Sequence, residues 1–189
     1  MKKYFNQQGL TLIELMIAVS LFTVVMMIST TMFLKSIDGQ SRSVASKNLQ
    51  ESLNYALAVM SNEATNAIQN PSSCVISLAD CQTATDFFCS VGGNTNLHFR
   101  NSNTDCVAYE IENDVNGVPR LKITRGVNFA YITPENIRVT SLVFNVGNTT
   151  DTTYPIGEAT IAITGQSISK GSPSESLVLQ TTVATWPNQ

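Results

Sequence analysis

The sequence predicts an α+β protein, in which one long amino-terminal helix is packed on a carboxy-terminal antiparallel β-sheet. Three observations carry that expectation. Between Leu10 and Asn70 the 189-residue chain has no proline and a single glycine, Gly39, so nothing local stops a helix there. Apolar residues recur at helical spacing along the second part of that stretch. After Pro71 the composition turns to Thr, Val and Ile in short runs separated by Gly, Asn, Asp and Ser, the pattern of strands and turns.

The first half of the helix is a membrane-type segment. Leu10 to Leu34 spans 25 residues, of which 18 are apolar and only Glu14 is charged. At about 1.5 Å of rise per residue it is about 38 Å long, enough to cross a hydrocarbon core with some tilt. An ionised carboxylate there costs about 2.5 to 3.5 kcal/mol on insertion scales, so Glu14 calls for a partner and a purpose. The run is too long for an ordinary secretory signal core, and Ser29-Thr30-Thr31 is a poor cleavage site. Lys2 and Lys3 precede the span much as Lys35, Arg42 and Lys47 follow it, so basic residues alone do not orient it.

In the second half, Leu49, Leu53, Leu57, Met60, Ala64 and Ala67 recur at steps of three and four, one apolar stripe on an otherwise polar helix. That stripe is expected to pack on a sheet. Asn70-Pro71 is expected to end the helix, because a residue before proline is driven out of helical geometry. The runs Cys74 to Leu78, Cys106 to Glu112, Arg120 to Thr124, Ile137 to Val146, Ala159 to Thr164 and Leu177 to Trp186 read as strands. Asn116-Gly117 marks a hairpin with a loop longer than two residues. The segments 101–105, 147–154 and 166–176 are polar and read as exposed loops.

The amino-terminal residues also carry a family resemblance. Lys2-Lys3, then Gly9, then Leu10-Thr11-Leu12-Ile13-Glu14-Leu15-Met16 resembles the class III signal of type IV prepilins and type II secretion pseudopilins. The resemblance implies a leader at 1–9, a transmembrane and filament-core half of the helix at 10–34, an amphipathic half at 35–70 and a globular antiparallel β domain at 71–189. It implies cleavage after Gly9 by a membrane-embedded prepilin peptidase and N-methyltransferase, leaving a methylated terminus at Leu10. Glu14, fifth in the mature chain, would neutralise the terminal amine of a neighbouring subunit during assembly, with Leu12 and Ile13 in the packing surface of the filament core. Opposite charges in a low-dielectric core offset each other only at the correct axial stagger. A second, weaker resemblance covers Val127 to Ile132, Thr133-Pro134, Ile137 to Phe144 and Leu177 to Val183, which look like the sheet of minor pilins and J-type minor pseudopilins. The span lacks the mid-helix proline of many major pilins, and no cysteine-bounded loop follows Cys106. Both departures disfavour a major subunit.

Composition excludes several function classes. Residues 35–189 carry 9 basic and 13 acidic side chains, so no basic surface for nucleic acid is visible. Cys74, Cys81, Cys89 and Cys106 lie within 33 residues, and an even, clustered set favours disulfides in an oxidising space outside the cytoplasmic membrane. Four cysteines allow three pairings; the short loops favour Cys74 with Cys81 and Cys89 with Cys106. His98 is the only histidine; it alternates with Leu97 and Phe99 and reads as a half-exposed strand residue, not a metal ligand or catalytic base. Glu110 and Glu112 share a strand face, read as the solvated side of an edge strand. No catalytic set, cofactor motif or metal site is expected, and Gly92-Gly93 reads as a turn.

The resulting expectation is a non-enzymatic minor pilin or minor pseudopilin. It would be a single-pass protein of the cytoplasmic membrane before assembly and part of an extracytoplasmic or cell-surface filament afterwards, serving pilus assembly, DNA uptake or protein secretion. Its partners would be other pilin or pseudopilin subunits, met through the amino-terminal helix. The alternative is a membrane-tethered binding domain or adhesin that never polymerises, which would need neither Gly9 nor Glu14.

Overall fold

The computed structural model describes residues 11–69, 74, 86–148, 156–168 and 175–186. Its first element is helix α1, Leu12–Thr65, of 54 residues. The chain separates into two compact units, Met1–Ser43 and Val44–Gln189, and α1 contributes to both.

In the first unit, helix residues 12–43 are exposed throughout, with Leu12, Met27, Met32 and Phe33 each about two-thirds or more accessible. Four hydroxyls of the apolar stretch donate back to carbonyls of the same helix. Ser20 Oγ donates to the Ile17 carbonyl and Thr23 Oγ1 to that of Ser20, both at 2.8 Å. Thr30 and Thr31 donate to Met26 and Ile28 at 2.8 Å. Back-bonded hydroxyls leave no donor stranded in an apolar solvent.

In the second unit the helix changes character. Leu49, Leu53, Ala56, Leu57, Met60 and Ala64 are buried, which places the stripe read from the sequence in the core and adds Ala56 to it. Burial begins at Leu49. The helix ends at Thr65, five residues short of the expected Asn70. Asn66 and Ala67 take i−3 amide bonds to Glu63 and Ala64 at 3.2 and 3.1 Å, the tightening common at a helix end. Thr185 Oγ1 donates to the Thr65 and Ala67 carbonyls at 3.0 and 3.3 Å. The next amide, Ile68, donates at 2.9 Å to the Arg100 carbonyl on a strand. Tertiary hydrogen bonds therefore stop the helix before Pro71 can.

The strands form two antiparallel sheets where one was expected. The first is a five-stranded meander of β1 (Phe88–Val91), β2 (Asn96–Arg100), β3 (Cys106–Asn113), β4 (Pro119–Arg125) and β5 (Asn128–Tyr131). The second is β6 (Ile137–Asn148), β7 (Gly157–Ser167) and β8 (Ser176–Thr185). The break falls at Thr133-Pro134. Thr133 is fully buried and its Oγ1 accepts the Leu121 amide at 3.1 Å, while its carbonyl accepts Arg120 Nε at 2.8 Å. Pro134 has no amide to continue the ladder, and its carbonyl accepts the Ile137 amide that opens β6. Both sheets put alternate residues into one core with α1, among them Phe99, Tyr109, Leu121, Phe144, Ile161 and Ile163. Gly165 on β7 lets the helix lie close: a Cβ there would stand 3.0 Å from Leu53 Cδ2 and 3.3 Å from Leu49 Cδ1.

Two further expectations are revised, and another falls outside the described residues. β3 is the central strand of its sheet, not an edge. The strand expected at Cys74 to Leu78 lies outside the described residues except for Cys74. Cys74 pairs with Cys106, with Cα atoms 5.3 Å apart, rather than with Cys81. The register explains it. Ile68 bridges Arg100, and Arg100 is opposite Cys106, so the chain leaving the helix is already beside the start of β3. Cys89 lies on β1, opposite His98 of β2, with β2 between it and β3. Two strand spacings are about 9.6 Å, beyond disulfide reach. Cys89 is itself disulfide-bonded, and Cys81 lies outside the described residues.

Candidate functional site

The amino-terminal turn of α1 is built around Thr11 and Glu14. The Glu14 amide donates to Thr11 Oγ1 at 3.3 Å and the Leu15 amide to the Thr11 carbonyl at 3.2 Å. Thr11 thus caps the helix, satisfying one of its orphan amides. The order Thr11-Leu12-Ile13-Glu14 has the spacing of a capping box, in which the third residue after the cap is Glu or Gln. A carboxylate in the first turn also faces the positive end of the helix dipole. Glu14, Leu12 and Ile13 are all exposed, Leu12 at 79% and Ile13 at 68%. Gly9 and Leu10 lie outside the described residues. Thr11 was not singled out in the sequence, although a threonine three residues before a glutamate is the signal that reveals it.

The helix from Leu12 is long and apolar enough to cross a membrane, and none of its most apolar stretch is buried within the protein. This arrangement offers lipid or other helices a continuous apolar surface with one carboxylate near its beginning.

A second polar cluster sits where the packed half of α1 meets β3 and β4. Glu63 accepts the Tyr109 hydroxyl through Oε2 at 2.9 Å and pairs with Arg125 through Oε1. Burial, together with the Glu63 charge, pushes the Tyr109 hydroxyl far above the usual phenol range. Glu63 raises the Arg125 guanidinium in turn. The cluster is a structural clamp, since the tyrosine is held protonated.

The remaining candidates lie on the strands and the β3–β4 hairpin of the first sheet. Lys122 on β4 pairs with Glu112 and, at 3.0 Å, with Glu110, and the hydrogen bonds it donates to these carboxylates raise its ammonium. His98 stands opposite Cys89 and Ala108, and burial lowers its imidazole while Glu110 opposes the shift. Asp114 closes the β3–β4 hairpin: its Oδ1 accepts the Asn116 and Val118 amides at 2.8 and 3.0 Å. The Val118 amide, then that of Asn116 and the Arg120 charge, hold its carboxyl below the usual range. Among the described residues, no group of three or more His, Cys, Asp or Glu side chains could hold a metal ion.

Comparison with known proteins bears on the first of these sites. The family model for the prokaryotic N-terminal methylation motif matches residues 4–30, the stretch that holds Gly9, Leu10, Thr11 and Glu14. This stretch is similar to the amino-terminal motif of type IV prepilin-like proteins. The motif and the single apolar amino-terminal helix together fit a single-pass membrane protein, and the pilin-like class is generally structural rather than enzymatic. No curated protein and no solved structure matches the chain.

Proposed function

We propose that the chain is a minor pilin or minor pseudopilin: a non-enzymatic subunit of a type IV pilus-like or type II secretion filament. The observation that carries this reading is Glu14, the one charged residue between Leu10 and Leu34, exposed and lying inside the matched methylation motif. Cleavage after Gly9 by a prepilin peptidase and methylation at Leu10 would leave an amine four positions before that carboxylate. Each charge is costly alone in an apolar core, and a neighbour's amine offsets both. Leu12 and Ile13 would then pack between subunits. The packed half of α1 also supports helix-to-helix contact. Val44 and Tyr55 are 58% and 62% exposed, and at 100° per residue both face away from Leu53. Tyr55 borders a shallow groove of about 330 Å³ with Ala58, Val59, Asn62 and Glu63.

A second reading, a membrane-tethered binding domain, is favoured by the Thr11 cap, which gives Glu14 a local use. Glu14→Gln separates the two, because Gln serves a capping box as Glu does but carries no charge. In a filament subunit Glu14→Gln leaves membrane levels intact and lowers recovery in sheared filaments about tenfold or more, since removing one partner of a buried pair is strongly unfavourable. Equal recovery of wild type and variant would leave the tether. Mass spectrometry of the extracted protein provides the companion measurement, with N-methyl-leucine at position 10 as the expected terminus.

A further inference from the structure

The two antiparallel sheets have four outer edges, and three of them are guarded. β1 and β5 are only four residues long. β6 slips register between Val139 and Ser141, and its Phe144 amide donates at 2.7 Å to the Asn94 carbonyl, between β1 and β2. Short strands, irregular ladders and covered backbone are the usual means of blunting an edge. β8 has none of these. It is ten residues long, pairs with β7 alone among the described residues, and keeps one register throughout. Ser176 to Thr185 includes no charge, no proline and no glycine. The core is open along the same edge. Ile161 and Ile163 on β7 are fully buried, but Thr181 and Leu179 opposite them on β8 are half-buried, as is Leu177. Val178, between the two leucines, is 63% exposed. The last strand of this core is thus incompletely covered and ends in an unguarded row of amides and carbonyls. Another extended backbone is what pairs with such a row.

We infer that the free edge of β8 is a docking site for an extended, uncharged strand of a partner protein, which adds to the β6–β7–β8 sheet and covers Leu177 and Leu179. The chemistry of that strand follows from the edge. A charge set beside these leucines would lose water and meet no opposite charge, so apolar or hydroxyl-bearing residues belong there. A second copy of this chain is a poor occupant. A two-fold axis that sets β8 antiparallel to another β8 stands perpendicular to the sheet, and it therefore reverses the helix that packs on that sheet. Two α1 helices running in opposite directions could not enter one membrane from the same side, although the apolar part of α1 is long enough to cross one. A two-fold axis that sets the strands parallel turns the second core to the opposite face and leaves the leucines bare. The edge belongs to the β unit, so the inference does not rest on the filament reading given above.

The probe is a fluorescent synthetic decapeptide of alternating valine and threonine with a short lysine tail for solubility. It is titrated by fluorescence anisotropy into the full-length protein in detergent micelles, with empty micelles as the blank. Saturable binding is expected, because strand addition draws its affinity from main-chain hydrogen bonds. N-methylation of two adjacent central residues spoils both edges of the peptide and is expected to weaken binding by about tenfold or more. In the protein, Gln180→Lys with Thr182→Lys places charge on two exposed positions of β8. That variant is expected to keep the wild-type urea midpoint and to bind the probe at least about tenfold more weakly, since edge lysines are a common guard against strand addition. Absence of saturable binding, equal binding of the methylated peptide, or equal binding by the lysine variant overturns the site. Sedimentation of the wild type without probe is expected to show one chain per micelle. A dimer that the two lysines dissolve would make the occupant a second copy and overturn the partner strand.

Discussion

The two halves of helix α1 meet the same problem, a surplus of apolar side chains, with opposite solutions. Before Ser43 the apolar residues are bare all round, with Leu21 at 62% exposure, whereas after Val44 they are gathered into one stripe, with Leu53 at 0%. An all-round apolar helix suits a solvent that is itself apolar, while a striped one suits a helix between water and a core. The polar residues follow the same division. Hydroxyls turn back on the helix in both halves, at Ser20 and Thr23 and again at Ser61 and Thr65, but around the packed half others also reach across to it, as Tyr109 does to Glu63 and Thr185 to the Thr65 carbonyl. One continuous element thus serves two environments, and the sequence changes pattern where the environment changes.

The sharpest way to break this comparison is to make the same substitution on both sides. Leu53→Ala removes a fully buried side chain that rests on Gly165 and is expected to lower the unfolding free energy of the β unit by about 2 to 5 kcal/mol. Leu21→Ala is expected to leave that unfolding within about 0.5 kcal/mol of wild type. Urea titration of the detergent-solubilised protein, followed by near-ultraviolet circular dichroism, measures both. A comparable loss from Leu21→Ala would mean that the bare half is part of the cooperative unit.

Behind the packed half stands the Cys74–Cys106 bridge, which closes a loop of 32 residues in sequence separation. In the chain-entropy account a loop of that size is worth roughly 3 to 4 kcal/mol. Replacing both cysteines by serine is expected to cost that much in the β unit and nothing in helix content before Ser43. Non-reducing peptide mapping should recover the linked peptides containing Cys74 and Cys106, and a Cys74–Cys81 link would contradict the register that brings Arg100 beside Cys106.

How far the sequence could be read follows from the same division. Both helix patterns, the hairpin at Asn116-Gly117 and the strands at 106, 120, 137, 159 and 177 are carried by local spacing, and local spacing is what a single sequence records. The helix end at Thr65, the second sheet and the Cys74–Cys106 pair depend on contacts between distant residues: Ile68 with Arg100, Arg120 with Thr133, Thr185 with Thr65. No spacing rule contains those. The site divides in the same manner. Glu14 stands out because a charge in an apolar run is conspicuous, whereas the Glu63, Tyr109 and Arg125 clamp joins residues 46 and 62 positions apart. The Thr11 cap was legible, since its signal is four residues long, and the prominence of Glu14 as a charge hid it.

Two glutamates, one in each half, sharpen the comparison further. Glu63→Ala leaves the Tyr109 hydroxyl buried without its acceptor, and is expected to destabilise the β unit by about 1 to 3 kcal/mol. Arg125 is half exposed, so water recovers most of its lost pairing. Glu14→Ala is expected to leave the unfolding of that unit unchanged and to show only in filament recovery. If both variants shifted the urea midpoint alike, the two carboxylates would not serve the different environments assigned to them.

The smallest expected effect is a pH slope, and it belongs wholly to the packed unit. The ionisable side chains described before Ser43 are Glu14, Lys35, Asp38 and Arg42, with no histidine among them. His98 is the only histidine, and burial holds its imidazole below the ordinary 6.5, with Glu110 opposing. The unfolded chain therefore takes up this proton at higher pH than the folded one. Between those two values the unfolded state binds more protons, so stability falls as pH falls below about 6.5 and levels off once the folded imidazole is also charged. Asp114, whose carboxyl is held low, acts with the same sign but only at pH below its ordinary 3.8. The urea midpoint of the wild type should decline gently from about pH 7.5 to about pH 5, and His98→Gln should flatten that decline. A wild-type slope retained in His98→Gln would place the titrating group elsewhere. Stability rising as pH falls would mean that attraction to Glu110 outweighs the burial of the ring.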